Sequence, residues 1–124
     1  MHVYMTKPFD RFARKATLGD AQLWSTVRAI ERGNIDAELG GSLYKQRVAR
    51  VGQGKSGGFR VILVHRTKAR AVFLFGFAKN ERDNITPDEL AALKHLGAYF
   101  LKLDNGALRK ALQSGELMEV ENDG

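Results

Sequence analysis

The chain has 124 residues, 44% hydrophobic and 27% charged, with a formal net charge of +6 and no cysteine. One domain over residues 1–124 fits that length, and it can bury an ordinary core without staples. Disulfides, thiolate metal sites and cysteine nucleophiles are excluded. No run approaches the ~20 apolar residues of a membrane span and no signal-peptide pattern opens the chain, so a soluble cytoplasmic protein is expected.

Residues 2–5, HVYM, form a short apolar run that suits an edge strand. Lys7-Pro8 after Thr6 opens a helix, because proline in the first turn loses no needed hydrogen bond. Phe9, Phe12, Ala13 and Ala16 then keep helical spacing to residue 16. Gly19 interrupts, Asp20 is a good N-cap, and Leu23, Trp24, Val27 and Ile30 form the apolar face of a second helix. Gly33-Asn34 ends it in the manner of a left-handed C-terminal position. Residues 34–42 read as a connecting loop.

Three strands follow, at 43–51, 59–67 and 71–79. In the first, Lys45 and Arg47 share a face with Leu43, opposite Tyr44, Gln46, Val48 and Arg50. The second sets Phe59, Val61, Leu63 and His65 against Arg60, Ile62, Val64 and Arg66. The third groups Phe73, Phe75 and Phe77 on one side, and apolar residues on both faces imply a central strand covered twice. Lys68-Ala69-Arg70 makes strands two and three an antiparallel hairpin. Thr86-Pro87-Asp88-Glu89 is a capping box opening a helix to about Leu103. Asn105-Gly106 separates it from a short helix at 107–113, and ELMEV suits a terminal strand. Helices, a meander and helices again make an α+β domain.

Charge is distributed unevenly. Residues 43–82 hold ten of the twenty Lys and Arg (45, 47, 50, 55, 60, 66, 68, 70, 79, 82) against one acid, Glu81. The segment 104–124 is instead acidic, with two basic and five acidic residues. A sheet with one cationic face is suited to a polyanion, and RNA is the expected ligand. GQGKSGG (52–58) ends like a phosphate loop, but Ala49 stands where the leading glycine belongs and a strand follows where a helix is required. It reads instead as a basic hairpin loop whose amides and Lys55 grip a phosphate. His2, His65 and His95 show no metal-ligand spacing, and no metal or other cofactor is expected. With paired carboxylates missing from the basic region, any acid–base chemistry there falls to cations. Attack of a ribose 2′-OH on the neighbouring phosphate needs only alignment, charge stabilisation and proton transfer. Arginine forks and a lysine crowded by other cations supply these.

LYKQRVA, GKSGGFR and a hairpin ending FGFAKNERDNI resemble the RelE/HigB-type toxins of bacterial toxin–antitoxin pairs, over about 43–101, and the opening TKPFDRFARK is similar too. The resemblance implies N-terminal helices packed on a twisted antiparallel sheet with C-terminal helices (the RelE/ParE-like fold) and a catalytic concavity on the opposite face. It implies a ribosome-dependent mRNA endonuclease acting at the A site, held inactive by a cognate antitoxin that presents an acidic segment. Carried over, Lys55, Arg60 and Lys79 are the catalytic candidates, and Lys45, Arg47 and Arg50 the RNA-binding ones. Tyr44 and Tyr99 suit base stacking or the core equally. Two alternatives remain at this stage: a non-catalytic RNA- or DNA-binding module, and a toxin of the same fold that poisons a protein such as gyrase.

Overall fold

The computed structural model describes residues 1–49 and 58–122. In chain order the elements are β1 (His2–Thr6), α1 (Lys7–Ala16), α2 (Asp20–Glu31), β2 (Ala37–Gly40), β3 (Leu43–Val48), β4 (Phe59–Arg66), β5 (Arg70–Ala78), α3 (Pro87–Lys102), α4 (Asn105–Ser114) and β6 (Leu117–Glu119). The class is α+β as expected, with the strands in one sheet of order β2-β3-β4-β5-β1-β6. The β3, β4 and β5 meander is antiparallel throughout.

Local chemistry sets the helix ends. The Thr6 hydroxyl accepts from the Phe9 amide at 3.2 Å, and Thr17 closes α1 at φ 58°. At α3 the capping box forms in both directions: Glu89 N donates to Thr86 Oγ1, and Thr86 N donates to Glu89 Oε1. The α2 start is shifted by one residue from expectation. Gly19 is the N-cap, its amide donating to Gln22 Oε1, while the Asp20 carboxylate accepts from the distant Glu121 amide. Asn105-Gly106 does not separate the last two helices but forms the first turn of α4, because Asp104 caps it by accepting from Ala107 N at 2.8 Å.

The sheet differs from a simple meander at three places. β1 is not an edge strand: it runs parallel to β5 and carries β6 antiparallel on its other side. Its apolar residues Val3, Tyr4 and Met5 are buried on both faces, as an inner position requires. Residues 34–42 are not all loop, since Ala37–Gly40 pairs with β3. A bulge also shifts the β4·β5 register: Ile62 faces Phe75 but Leu63 faces Phe73, so Leu74 is the extra residue. Adding one residue reverses the facing of everything beyond it. Phe73 therefore packs toward α1, 5.1 Å from the Phe9 ring, whereas Phe75 and Phe77 emerge together on the other face. The three phenylalanines do not share a side.

Two cores result. Phe9, Leu23, Trp24, Val27, Val61, Leu63 and Phe73 fill the space under α1 and α2. Leu43, Ile62, Val64, Val72, Leu74, Leu93, Phe100 and Ala111 fill the space under α3 and α4. The acidic C-terminal segment is thus structural, contributing α4 to the second core and β6 to the sheet. It is tied to α2 where Trp24 Nε1 donates to Val120 O at 2.9 Å.

Gly97 is where α3 comes closest to the sheet, since a Cβ there would overlap the Val64 side chain. Val64 is fully buried and β-branched, so it has no low-energy escape. Gly97→Ala should lower the free energy of unfolding by about 1–3 kcal/mol, the usual cost of overpacking. Urea denaturation should record this as a lower midpoint at unchanged slope.

Candidate nucleic-acid interface

α3 and α4 cover only part of their face of the sheet. Among the described residues, the Val48–Phe59–Ala78 end of the three-strand meander lies beyond them. Alternation brings Lys45 and Arg47 of β3, Arg60 of β4 and Phe75 and Phe77 of β5 onto one face there, Phe77 being buried. Register then sets their spacing. Arg47 lies directly opposite Arg60, and Arg60 opposite Phe77; in the next row Lys45, Ile62 and Phe75 are aligned. Directly opposed residues have Cβ atoms about 4.5–5.5 Å apart, and like charges so placed oppose pairing. Here the Asp36 carboxylate beside Arg47 relieves it.

Lys79 extends the ladder by one residue, its amide donating to Gly58 O at 3.1 Å. It is diagonal to Arg60, a separation of about 7–8 Å between Cβ atoms. The structure therefore brings together Lys45, Arg47, Arg60 and Lys79. Lys55 and Arg50 lie outside the described residues.

Most of these cations already have a partner. Arg47 is clamped by Asp36, which accepts from its main-chain amide at 2.6 Å and from its guanidinium at 3.1 Å. Lys45 Nζ donates to Asn84 Oδ1 at 3.0 Å. Lys79 Nζ meets Asp83 Oδ1 at 2.7 Å, and that ammonium holds the Asp83 carboxyl below its ordinary range. The nearest charge to Lys79 is thus an anion. Arg60 differs: among the described residues it has no ion pair, only a 3.4 Å contact from Nη1 to the Phe59 carbonyl.

Arg82 is the residue that sequence reasoning passed over. Its guanidinium lies 5.7 Å from the Phe75 ring centroid and 5.5 Å from that of Phe77, and it forms a two-point ion pair with Glu89. Two donors of the fork are thereby committed while the plane covers both rings. The sequence held one signal for it, an arginine five residues beyond Phe77 with a helix-capping glutamate seven further on. Only the turn at 79–86 brings the three groups together.

The other aromatic and histidine candidates fall elsewhere. Tyr44 packs on the α1/α2 side, edge-on to His65 at 6.3 Å, and Tyr99 is exposed on the outer side of α3. His65 is buried, with Nε2 lacking a hydrogen-bond partner and 3.9 Å from Glu31. Burial pushes its pKa below the ordinary value despite that carboxylate. It points away from the cationic face and takes no part in it. No group of three or more His, Asp or Glu among the described residues is placed to hold a metal ion. Nor is any described helix long and apolar enough to cross a membrane.

A mixed six-stranded sheet flanked by helices on both faces, with Lys45, Arg47, Arg60 and Lys79 gathered at one end of its meander, defines a small α+β protein. The family model described as RelE toxin of the RelE/RelB toxin–antitoxin system matches residues 1–120, and the chain belongs to that family. It is therefore the toxin component of a toxin–antitoxin system, with an antitoxin as partner. No curated protein matches the chain.

The Arg82–Glu89 contact carries a measurable signature. Hydrogen bonds from Arg82 and from the Thr86 amide hold the Glu89 carboxyl at about 2 instead of 4.5. The folded value is the lower one, so the unfolded chain binds the extra proton and stability rises with pH between these values. The contribution is complete above about 4.5 and is lost as pH falls through about 2. Urea melts across that window should show a shallower pH dependence for Glu89→Gln than for the unaltered chain.

Proposed function

We propose that this toxin is a metal-independent endoribonuclease that cuts mRNA, acting at the ribosomal A site. The observation that carries the reading is the Arg47–Arg60 pair beside Lys79 at one end of the meander. Scission there begins when the ribose 2′-oxygen attacks the adjacent phosphorus. The P–O5′ bond breaks, leaving a 2′,3′-cyclic phosphate and a free 5′-hydroxyl. The 2′-OH proton departs, and a proton is delivered to the leaving 5′-oxygen.

Arg60 is the group assigned to the phosphorane, because its fork is not already neutralised by a carboxylate among the described residues. Preorganised charge of this kind acts where negative charge develops and costs no reorganisation. Lys79 contacts the same phosphate or its neighbour, exchanging Asp83 for it. Lys45 and Arg47 hold the flanking backbone, trading their Asn84 and Asp36 contacts for phosphate oxygens. Lys55 and Arg50, outside the described residues, complete the expected set as a catalytic and an RNA-binding residue. Arg82 and the two phenylalanines beneath it offer a plane for a nucleobase. The ribosome's part is alignment of the message on this face, which a flat cationic surface does not supply alone.

Induced expression should halt growth and leave messages cut within codons, mapped by sequencing of 5′-hydroxyl ends. Arg60→Ala should slow cleavage by about 10²-fold or more, the usual loss for one transition-state donor. Intact messages during growth arrest would overturn the nuclease reading. Binding of a single-stranded oligoribonucleotide should weaken with salt, and Lys45→Ala should reduce the log–log slope by about 0.7, one phosphate contact's worth.

A further inference from the structure

Gln46 lies within β3 on the α1/α2 side of the sheet, between Tyr44 and Val48 and opposite in facing to Lys45 and Arg47. It is 3% exposed, so its amide must find partners inside the protein or leave desolvated groups unpaired. One segment, the connection from α2 to β2, satisfies both ends. Gln46 Nε2 donates to Asn34 O at 3.1 Å, and Gln46 Oε1 accepts from Asp36 N at 2.8 Å. A carbonyl and an amide two residues apart are the groups that a neighbouring strand would engage. The β2·β3 ladder itself begins one step later, with Ala37 opposite Lys45. The Gln46 side chain therefore does for residues 34–36 what the backbone of β3 does for β2.

What this pins is Asp36. Its carboxylate accepts from the Arg47 main-chain amide at 2.6 Å, from Arg47 Nη2 at 3.1 Å and from Arg47 Nε at 3.3 Å. The ion pair lies at the surface, and pairs of that kind contribute little alone. The buried amide is the stronger restraint, since breaking either of its bonds strands a desolvated group. Restraint matters because Arg60 stands directly opposite Arg47. A free arginine side chain would swing away from that like charge, and one held by Nε and Nη2 does not. Among the described residues the Nη1 end of Arg47 has no partner, so the fork keeps donors for a ligand.

We propose that Gln46 is a positioning residue for the cationic face: acting through Asp36, it holds the Arg47 guanidinium beside Arg60, so that two forks meet neighbouring phosphate oxygens of an RNA strand together. The assignment rests on the reading of this face as RNA-binding. Gln46 touches no RNA itself, being buried on the other side of β3. When the guanidinium exchanges Asp36 for phosphate, the carboxylate keeps the Arg47 amide and the end of β3 stays in register with β4. Arg47 is thus ordered during folding, and less side-chain freedom is lost on binding.

The test uses the full chain labelled with nitrogen-15 and a single-stranded 2′-O-methyl oligoribonucleotide, which has no nucleophile for cleavage. Gln46→Leu roughly keeps the volume and removes both hydrogen bonds. In the free protein it should speed hydrogen exchange of the Asp36 and Arg47 amides by about tenfold or more, while the amides of β5 keep their protection. RNA binding should weaken about fivefold, the scale of one side chain that must now be ordered on binding. Asp36→Ala, which leaves the core intact, should give the same loss. Added to Arg47→Ala, Gln46→Leu should weaken binding no further. Gly97→Ala loosens the fold from the opposite side of the sheet and should leave the affinity unaltered, which separates positioning from general destabilisation. Unaltered RNA affinity in Gln46→Leu and Asp36→Ala, an equal loss in Gly97→Ala, or full additivity with Arg47→Ala would each overturn the proposal. So would tighter binding, which would make Asp36 a counter-ion that only masks Arg47. If Arg47→Ala itself leaves the affinity unaltered, the RNA-binding reading of the face fails and this proposal with it; in the other outcomes Arg47 still counts and only the role of Gln46 falls.

Discussion

The β4·β5 ladder, buried on both faces, is the constraint on which the rest of the molecule depends. Val61, Ile62, Leu63 and Val64 on one strand and Ala71, Val72 and Phe73 on the other are fully shielded from water. Each such side chain contributes roughly 1.5–3 kcal/mol for the larger ones, and neither strand could hold its place without helices on both sides. Two helix pairs of limited length cannot cover nine residues of β5 evenly. The bulge at Leu74 resolves the mismatch. Up to Phe73 the strand feeds the core beneath α1; past Leu74 its aromatic side chains emerge on the other face and become the floor of the cationic site.

That inversion explains why the site contains phenylalanine at all. Without the extra residue, Phe75 and Phe77 would turn toward α1, and Arg82 would have no aromatic surface to lie on. The bulge also increases local twist, as bulges next to functional sites commonly do. Counter-ions complete the arrangement. Asp36, Asp83 and Glu89 come from a loop, a turn and a helix start, and each neutralises one cation before any ligand arrives. Such pairs limit self-repulsion on this face of the protein and, lying at the surface, are individually weak. Arg60, partnered by no carboxylate among the described residues, is the exception that gives the site its direction.

Much of this was legible from the sequence, for identifiable reasons. Helix starts rest on local chemistry, so Thr6 and Thr86 announced α1 and α3 without reference to the fold. Period-two alternation placed Lys45 and Arg47 on one side of β3 and Arg60 with Ile62 and Val64 on one side of β4, and the register made those sides the same. What remained hidden depends on partners remote in the chain. β2 has only Ala37–Gly40, too short for a period, and is a strand because β3 is beside it. β1 looked like an edge because its parallel neighbour lies about seventy residues away. The Leu74 bulge has no local signature, since a run of apolar residues reads the same in either register. Arg82 was visible only as one more basic residue until the turn folded it over two rings.

The strand order has a consequence for how the protein comes into being. β1, made first, is seated between β5 and β6, which are made late, and β6 is added only after four helices and five strands. Contacts of such separation are slow to form, and nascent chains acquire them only when the later segment is available. A chain stalled before Leu117 therefore has an unclosed flank and a bare hydrophobic strand. Truncated products of this toxin would then expose the apolar side chains of β1 that β6 and its flanking segment otherwise help to cover.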